Sequence, residues 1–240
     1  MAAWDKIIIC CCAERGWVIP ENIKLLCASA KASGVAIELH ADFCRTAAEH
    51  PEILRKIAES GDALIGGCLN RAMKSIFTAA GSSLPSKFLD LRSAVLTPEK
   101  LLELGLEPVE KADTEIELPA ADPGWKAWFP VIDRERCVNC GKCLDFCLFG
   151  VYEFDAEKRV QVVNPANCKN NCPACARVCP CEAVIFPKYK DPPVNGAEVG
   201  GKTSRGDNVF DAKAGDDLYK MLAERKKIAR KLFRDKDAKE

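Results

Sequence analysis

The 240-residue sequence lacks a charge excess and a long apolar run, and it has only two histidines. Its 35 acidic side chains balance 35 lysines and arginines, so electrostatics gives no case for nucleic acid as a partner. No apolar stretch approaches the length of a membrane span. His40 and His50 belong to no nucleophile or acid–base constellation. We therefore expect no nucleic-acid contact and no membrane span, and we interpret both histidines as surface or structural residues.

No nucleotide-binding motif has the context that it needs. No Gly-x-Gly-x-x-Gly follows a predicted strand, so the sequence offers no flavin or nicotinamide site. Residues 196–203 match the literal P-loop formula, but a P-loop requires a buried strand before it and a helix after it. Pro192-Pro193 precede this stretch, and a Ser-Arg-Gly-Asp-Asn segment follows it. We interpret residues 191–215 as a flexible Gly-rich connector, with a P-loop ATPase as an alternative.

The N-terminus does not resemble a secretory signal. The apolar segment at residues 7–12 is short, follows Asp5 and Lys6, and has no cleavage site. We therefore expect a cytoplasmic protein, in which a dense set of thiols indicates metal binding rather than disulfides.

Cysteine is abundant, with 15 residues. Eight of them form two runs, Cys137-x2-Cys140-x2-Cys143-x3-Cys147 and Cys168-x3-Cys172-x2-Cys175-x3-Cys179, the second followed by Pro180. A [4Fe–4S] cube needs four thiolates from different directions, and two-residue spacers let one loop supply three of them. Structural zinc is the alternative, since it also uses Cys-x2-Cys pairs. Zinc modules, however, have no use for a third cysteine at the same spacing.

Both runs resemble the bacterial two-cluster ferredoxins, whose pattern is C-x2-C-x2-C-x3-C-P and whose fourth cysteine crosses to the other cluster. By position, the resemblance implies Cys137, Cys140, Cys143 and Cys179 as ligands of cluster I, and Cys168, Cys172, Cys175 and Cys147 as ligands of cluster II. It spans about residues 128–190. Two departures are the extra residue between Cys168 and Cys172 and Leu148 in place of a proline, and neither removes a sulfur donor. Cys181 is needed by neither cube, and we expect it to pack as a small residue.

Short strands are expected around these runs. Residues 150–155 and 159–163 alternate apolar and polar side chains around a polar turn, which predicts a β-hairpin inserted between the two halves of the ferredoxin unit. Ile132 and residues 184–186 should pair across the pseudo-twofold axis. The predicted fold of residues 128–190 is an α+β two-cluster ferredoxin domain with an inserted hairpin.

Residues 1–96 are predicted to form a small α/β domain with a parallel sheet. Apolar runs near residues 6–11, 35–39 and 63–65 alternate with amphipathic helical stretches that begin at Pro20 and Pro51. Thiols follow each predicted strand: Cys10, Cys11 and Cys12, then Cys44, then Cys68. Because the carboxyl ends of parallel strands lie along one edge, these thiols should meet there.

The thiol-bearing segments resemble the N-terminal domain of the A subunit of heterodisulfide reductase over about the first 95 residues. They are Ile9-Cys10-Cys11-Cys12, Asp42-Phe43-Cys44 and Gly67-Cys68-Leu69-Asn70-Arg71, with a weaker match at residues 88–92. The resemblance implies a third iron–sulfur cluster on Cys10, Cys12, Cys44 and Cys68, with Cys11 as an alternative to either neighbour. The flavin core of that subunit is absent, and Ser93-Ala94 stand where the family tends to carry another cysteine. Inert buried thiols, a redox dithiol and zinc are the competing interpretations.

Two further segments complete the predicted organisation. Residues 97–127, acidic and Pro-containing after a short helix, are predicted to form a linker that ends beside Trp125 and Trp128. Residues 216–240 predict a basic amphipathic helix that docks on the protein itself or on an acidic partner.

These patterns together predict an electron-transfer subunit of a larger oxidoreductase complex. It would carry two ferredoxin-type [4Fe–4S] clusters and a third N-terminal cluster, and would form a hetero-oligomer with other redox subunits. We expect no enzymatic activity from the chain on its own. An iron–sulfur adaptor or redox sensor is the alternative.

Overall fold

The computed structural model describes residues 4–198 apart from 86, 94, 113, 114 and 122. The strands are β1 (Lys6–Cys10), β2 (Ala36–His40), β3 (Ala63–Gly67), β4 (Phe88–Asp90), β5 (Val131–Ile132), β6 (Tyr152–Phe154), β7 (Val160–Val162) and β8 (Val184–Ile185). The helices are α1 (Pro20–Ala32), α2 (Phe43–Glu49), α3 (Pro51–Ala58), α4 (Asn70–Ala79), α5 (Pro98–Glu103), α6 (Lys142–Phe146) and α7 (Ala174–Arg177), with a 3-10 turn at Pro165–Asn167. The predicted basic helix at 216–240 and residues 199–203 of the P-loop-like stretch lie outside the described residues.

The N-terminal domain is built on a four-stranded parallel sheet in the order β2-β1-β3-β4. Central β1 pairs with β2 and β3, so that Ile7 lies opposite both Ile37 and Leu64. The isoleucines of β1 are fully buried and β3 is buried throughout, as expected of central parallel strands covered by other elements. The predicted α/β class with a parallel sheet is confirmed.

Two elements of this domain were not predicted, strand β4 and helix α2. Helix α2 begins at Phe43 because the Asp42 carboxylate accepts hydrogen bonds from the backbone N–H groups of Cys44 (2.8 Å) and Arg45 (3.3 Å). This N-cap places Cys44 in the first turn of the helix. The backbone N–H of Phe43 donates to Cys10 Sγ at 3.2 Å, so the start of α2 lies against the end of β1.

The C-terminal part has the small strands expected of a ferredoxin-like unit. Strands β5 and β8 are antiparallel, with Val131 opposite Ile185. Strands β6 and β7 form the predicted hairpin, and Lys158 takes the positive φ (58°) in its turn. Both strand predictions are confirmed. No helix in the described part of the chain is long and apolar enough to cross a membrane.

The segment predicted as a linker packs along the N-terminal domain. Leu101, Leu106 and Phe129 are buried in the same apolar core as β1. Trp4 Nε1 donates to the carbonyl oxygen of Leu104 at 2.5 Å. Farther along, Val194 and Asn195, which the sequence assigns to the connector, are also buried, and the carbonyl of Val194 accepts from the backbone N–H of Phe186 at 2.8 Å.

Buried charges join the two domains. Arg71 of α4 pairs with Asp133, which follows β5, with Nε and Oδ2 2.6 Å apart and side chains only 8% and 9% exposed. Arg71 Nη2 also donates to the carbonyl oxygen of Glu182. A second contact runs from Arg15 Nη2 to Asn171 Oδ1 at 3.1 Å, and the Arg15 guanidinium lies 5.5 Å from the ring centre of Trp128.

Candidate metal centres

The first predicted ligand set lines one cavity. Cys137, Cys140, Cys143 and Cys179 form part of its wall, together with apolar side chains from β5, β7 and β8. Burial raises the pKa of Cys143 to about 12, and the charges of Cys179, Cys137 and Cys140 also raise it. The backbone N–H of Ala183 donates to Cys179 Sγ at 3.3 Å. Three cysteines from one loop thus meet Cys179 from a distant segment, as the crossover in the ferredoxin resemblance implies, and Cys181 also lines this cavity.

The second predicted set is also brought together. Burial raises the pKa of Cys168 to about 12, with further increases from the charges of Cys147 and Cys172. The pKa of Cys175 is raised mainly by burial, and the charges of Cys168 and Cys147 add to the increase. Tyr152 donates its hydroxyl hydrogen to Cys175 Sγ, with oxygen and sulfur 3.1 Å apart. The extra residue after Cys168 therefore does not remove Cys168 from the set.

The strand-end thiols of the N-terminal domain form a third group. Cys10, Cys12, Cys44 and Cys68 are all between 4% and 7% exposed. Burial raises the pKa of Cys68 to about 12, and the charge of Cys12 contributes to the increase. The pKa of Cys44 is raised chiefly by burial and also by the charges of Asp42, Cys68 and Cys10.

Backbone hydrogen bonds to sulfur are a second property of this group. The backbone N–H of Phe43 donates to Cys10 Sγ, and the backbones of Trp17 and Leu69 partly offset the burial that raises the pKa of Cys12 and Cys68. Such bonds stabilise thiolates and are a usual feature around iron–sulfur centres.

Cys11 has different neighbours from the other strand-end thiols. Burial raises its pKa to about 12, and the thiols that raise it further are Cys27 of α1 and Cys12. The charges of Cys44 and Cys68 are not among the causes of this increase in the pKa of Cys11. Cys11 thus lies close to Cys27 of α1 as well as to Cys12, and Cys10 and Cys12 stay the predicted ligands.

Lys188 is a residue of this site that sequence reasoning missed. Its side chain is 2% exposed and ion-paired with Asp42, at 2.5 Å between Nζ and Oδ2, and with Glu14. Burial alone would lower the pKa of Lys188, but the charges of Cys44 and Asp42 outweigh it and raise the pKa above its usual value. The ferredoxin domain thus places a buried cation beside the N-terminal thiols.

Arg92 supplies a second cation. Its guanidinium lies 4.7 Å from the ring centre of Trp17. The charge of Arg92 partly offsets the burial that raises the pKa of Cys12 and Cys68. Arg92 ends the weaker match at residues 88–92, so the sequence did hint at this residue.

The thiol groups are not arranged for a single metal ion. Within the described residues, no three His, Cys, Asp or Glu side chains are placed to hold one ion. Zinc requires its four ligands to meet around one centre. In a [4Fe–4S] cube each thiolate binds a different iron, so the sulfur atoms stand farther apart. For the two cysteine runs, the third cysteine at the same spacing favours a cluster over zinc.

Sequence comparisons support this geometry. The family model of the 4Fe–4S dicluster domain matches residues 129–180. An uncharacterised ferredoxin of Methanocaldococcus jannaschii is 51% identical over 69 residues, which are 28% of this chain and 45% of that protein. A second uncharacterised ferredoxin of the same organism is 34% identical over 67 residues, 25% of this chain and 86% of the relative. Pyruvate synthase subunit PorD of Methanothermobacter marburgensis is 29% identical over 66 residues, 28% of this chain and 74% of that subunit.

The relatives match about a quarter of the chain, and the chain spans less than half the length of the first of them. No solved structure matches the chain. The second relative is covered over most of its length at more than 30% identity, and the family model falls on the two cysteine runs. Through residues 129–180 the chain belongs to the ferredoxins with a 4Fe–4S dicluster domain, and this domain supports two [4Fe–4S] clusters.

Proposed function

We propose that the protein is an electron-transfer subunit of a larger cytoplasmic oxidoreductase complex and that it holds three clusters. Cys137, Cys140, Cys143 and Cys179 would bind cluster I, and Cys147, Cys168, Cys172 and Cys175 would bind cluster II. The third would lie on Cys10, Cys12, Cys44 and Cys68, as the heterodisulfide reductase resemblance implies. A hetero-oligomer is supported by the PorD relative, which is named as a subunit of pyruvate synthase.

The observation that carries the third cluster is the convergence of four buried thiols from three strand ends. As free thiols they gain nothing from two nearby cations, because a neutral sulfur has no charge to compensate. As cluster ligands they are thiolates, and Lys188 and Arg92 then offset part of their negative charge. The backbone N–H of Phe43, which donates to Cys10 Sγ, would act in the same direction.

Each cluster supplies one-electron redox chemistry when bound. The chain's own residues hold the iron by thiolates, keep water from the sulfur atoms and adjust the potential through hydrogen bonds and charges. Tyr152 is such a residue at the second set, and Lys188 is one at the N-terminal set.

Iron and sulfide quantitation on anaerobically purified protein tests the proposal. Three [4Fe–4S] clusters predict about twelve of each per chain, and two predict about eight. Cys68→Ser should lower the value from about twelve to about eight. The matched control, Cys11→Ser, removes a buried thiol from the same sheet edge and should leave about twelve. About eight irons in the unmutated protein would refute the third cluster, and zinc in place of iron would refute electron transfer.

A further inference from the structure

The two ferredoxin ligand sets differ in how they face the N-terminal domain. Cys168 of the second set packs against both apolar cores, the one that contains β1 and the one within the ferredoxin domain. Asn171, in the loop between Cys168 and Cys172, accepts the hydrogen bond from Arg15. Arg15 lies in the turn that follows Cys12, whose backbone carbonyl accepts from its N–H at 3.1 Å. The loop of the second set therefore touches the loop of the N-terminal set directly.

The first set is oriented differently. Cys140 is exposed, and the neighbouring Val138 is 65% exposed. Asp133, just before this loop, does contact the N-terminal domain through Arg71. The cysteine loop itself nevertheless presents Cys140 and an apolar side chain to solvent. Leu148 and Phe149, beside Cys147 of the second set, are also exposed, but among the eight cysteines of the two runs Cys140 alone is exposed, so an outside partner could approach its sulfur closely.

The contact involves a loop that departs from the family spacing. The ferredoxin pattern has two residues where this chain has Lys169, Asn170 and Asn171. Asn171 adopts a positive φ of 59°, a conformation that asparagine tolerates better than most residues. The amide oxygen of this residue accepts the exposed hydrogen bond from Arg15.

We propose that the set of Cys147, Cys168, Cys172 and Cys175 exchanges electrons with the N-terminal thiol set across the contact between Arg15 and Asn171, while the set containing Cys140 serves an outside one-electron partner. This order rests on the proposed third cluster. One electron leaves one set and enters the next, with no bond broken and no proton transferred. The electron is supplied by a low-potential one-electron donor.

Paramagnetic resonance of the reduced full chain tests the order, with Tyr152→Phe as a marker for the second set. The variant removes the hydrogen bond to Cys175 and should lower the midpoint potential of one ferredoxin cluster. We expect the N-terminal cluster to show spin coupling to that same cluster. Coupling to the cluster whose potential Tyr152→Phe leaves unchanged would overturn the proposed order.

Iron content shows whether the proposed order of electron transfer has failed or the three-cluster function on which it rests. About eight irons per chain would show that the N-terminal cluster is absent, which would refute both the three-cluster proposal and the proposed order of electron transfer. About twelve irons with coupling to the wrong cluster would overturn the order alone and leave the three-cluster proposal intact.

A second measurement addresses the contact itself. Arg15→Ala should slow electron exchange between the N-terminal cluster and the marked cluster several-fold after rapid photoreduction. Arg159→Ala removes the same charge from an exposed position in the β6–β7 hairpin, where its ion-pair partners are Asp155 and Glu157, and should leave the rate unchanged. Equal rates in the Arg15 variant and the unmutated protein would contradict the role of this contact.

Discussion

Replacing Arg71 by methionine tests whether the two domains form one unit. The guanidinium is held between the Asp133 carboxylate, at 2.6 Å, and the carbonyl oxygen of Glu182. Both charged side chains are almost completely buried, so water screens the pair little. Methionine fills much of the same volume but leaves Asp133 as a buried carboxylate without its main cation.

The expected loss can be worked out from these contacts. Removing one partner of a buried ion pair costs about 3–5 kcal/mol. Asp133 would keep the backbone N–H groups of Glu135 at 3.0 Å and Arg136 at 3.4 Å and the Arg136 guanidinium at 3.7 Å, so we expect the lower end, about 3 kcal/mol. For a chain of this size each kcal/mol lowers Tm by about 2–4 °C. The Arg71→Met variant should therefore melt roughly 6–12 °C lower.

Anaerobic melting at one fixed scan rate, followed by tryptophan fluorescence and cluster absorbance, provides the measurement. Adding Asp133→Asn to Arg71→Met should recover part of the loss, because no buried charge is then left unpaired. Arg159→Met, at an exposed hairpin position, should not change Tm. A decrease of less than about 2 °C for Arg71→Met would refute the buried pair and the docking of the domains that it supports.

Three other variants probe the sites and their surroundings. Tyr152→Phe loses a hydrogen bond to Cys175 worth about 1 kcal/mol, so a redox titration should find one cluster potential lower by roughly 40 mV; an unchanged titration would exclude this contact. Lys188→Met leaves the buried carboxylate of Asp42 and the partly buried carboxylate of Glu14 without their cation, and iron quantitation should show loss of the N-terminal cluster with the other two retained; full iron content would argue against the role of Lys188. Gly196→Ala forces a side chain into a backbone at φ +92°, with its Cβ 3.1 Å from the backbone nitrogen of Ala72. It should cost roughly 1–3 kcal/mol in the same melting assay, and an unchanged Tm would show that residue 196 does not pack on α4.

Local patterns predicted the elements that local physics controls. Alternating residues around a polar turn predicted the β6–β7 hairpin, and buried apolar runs predicted β1, β2 and β3. The positions of the strand-end thiols followed from the parallel topology, since parallel strands end along one edge. Helix α2 was missed although Asp42 is a recognisable N-cap, because the helix is too short for its apolar positions to show a clear period.

Contacts between distant residues could not be predicted in the same way. Lys188 meets Asp42 only after two domains have folded and docked, and no spacing rule relates these positions. The same holds for the pair of Arg71 and Asp133. Asn171 was visible as an extra residue in the cysteine run, but its partner Arg15 was not. The choice between Cys11 and its neighbours as cluster ligands depends on the side-chain directions at the end of β1, which the sequence does not show. The ligand assignments of all three sets are predictions.

The position of Lys188 also has a consequence for the order in which the protein matures. Glu14 and Asp42 are synthesised early, while the cation that balances them is encoded near the end of the ferredoxin domain. During translation the N-terminal half therefore leaves the ribosome with two carboxylates that lack their buried partner. One of these two negative charges is offset only after residue 188 has emerged and docked, so the last segment of the second domain completes this part of the first.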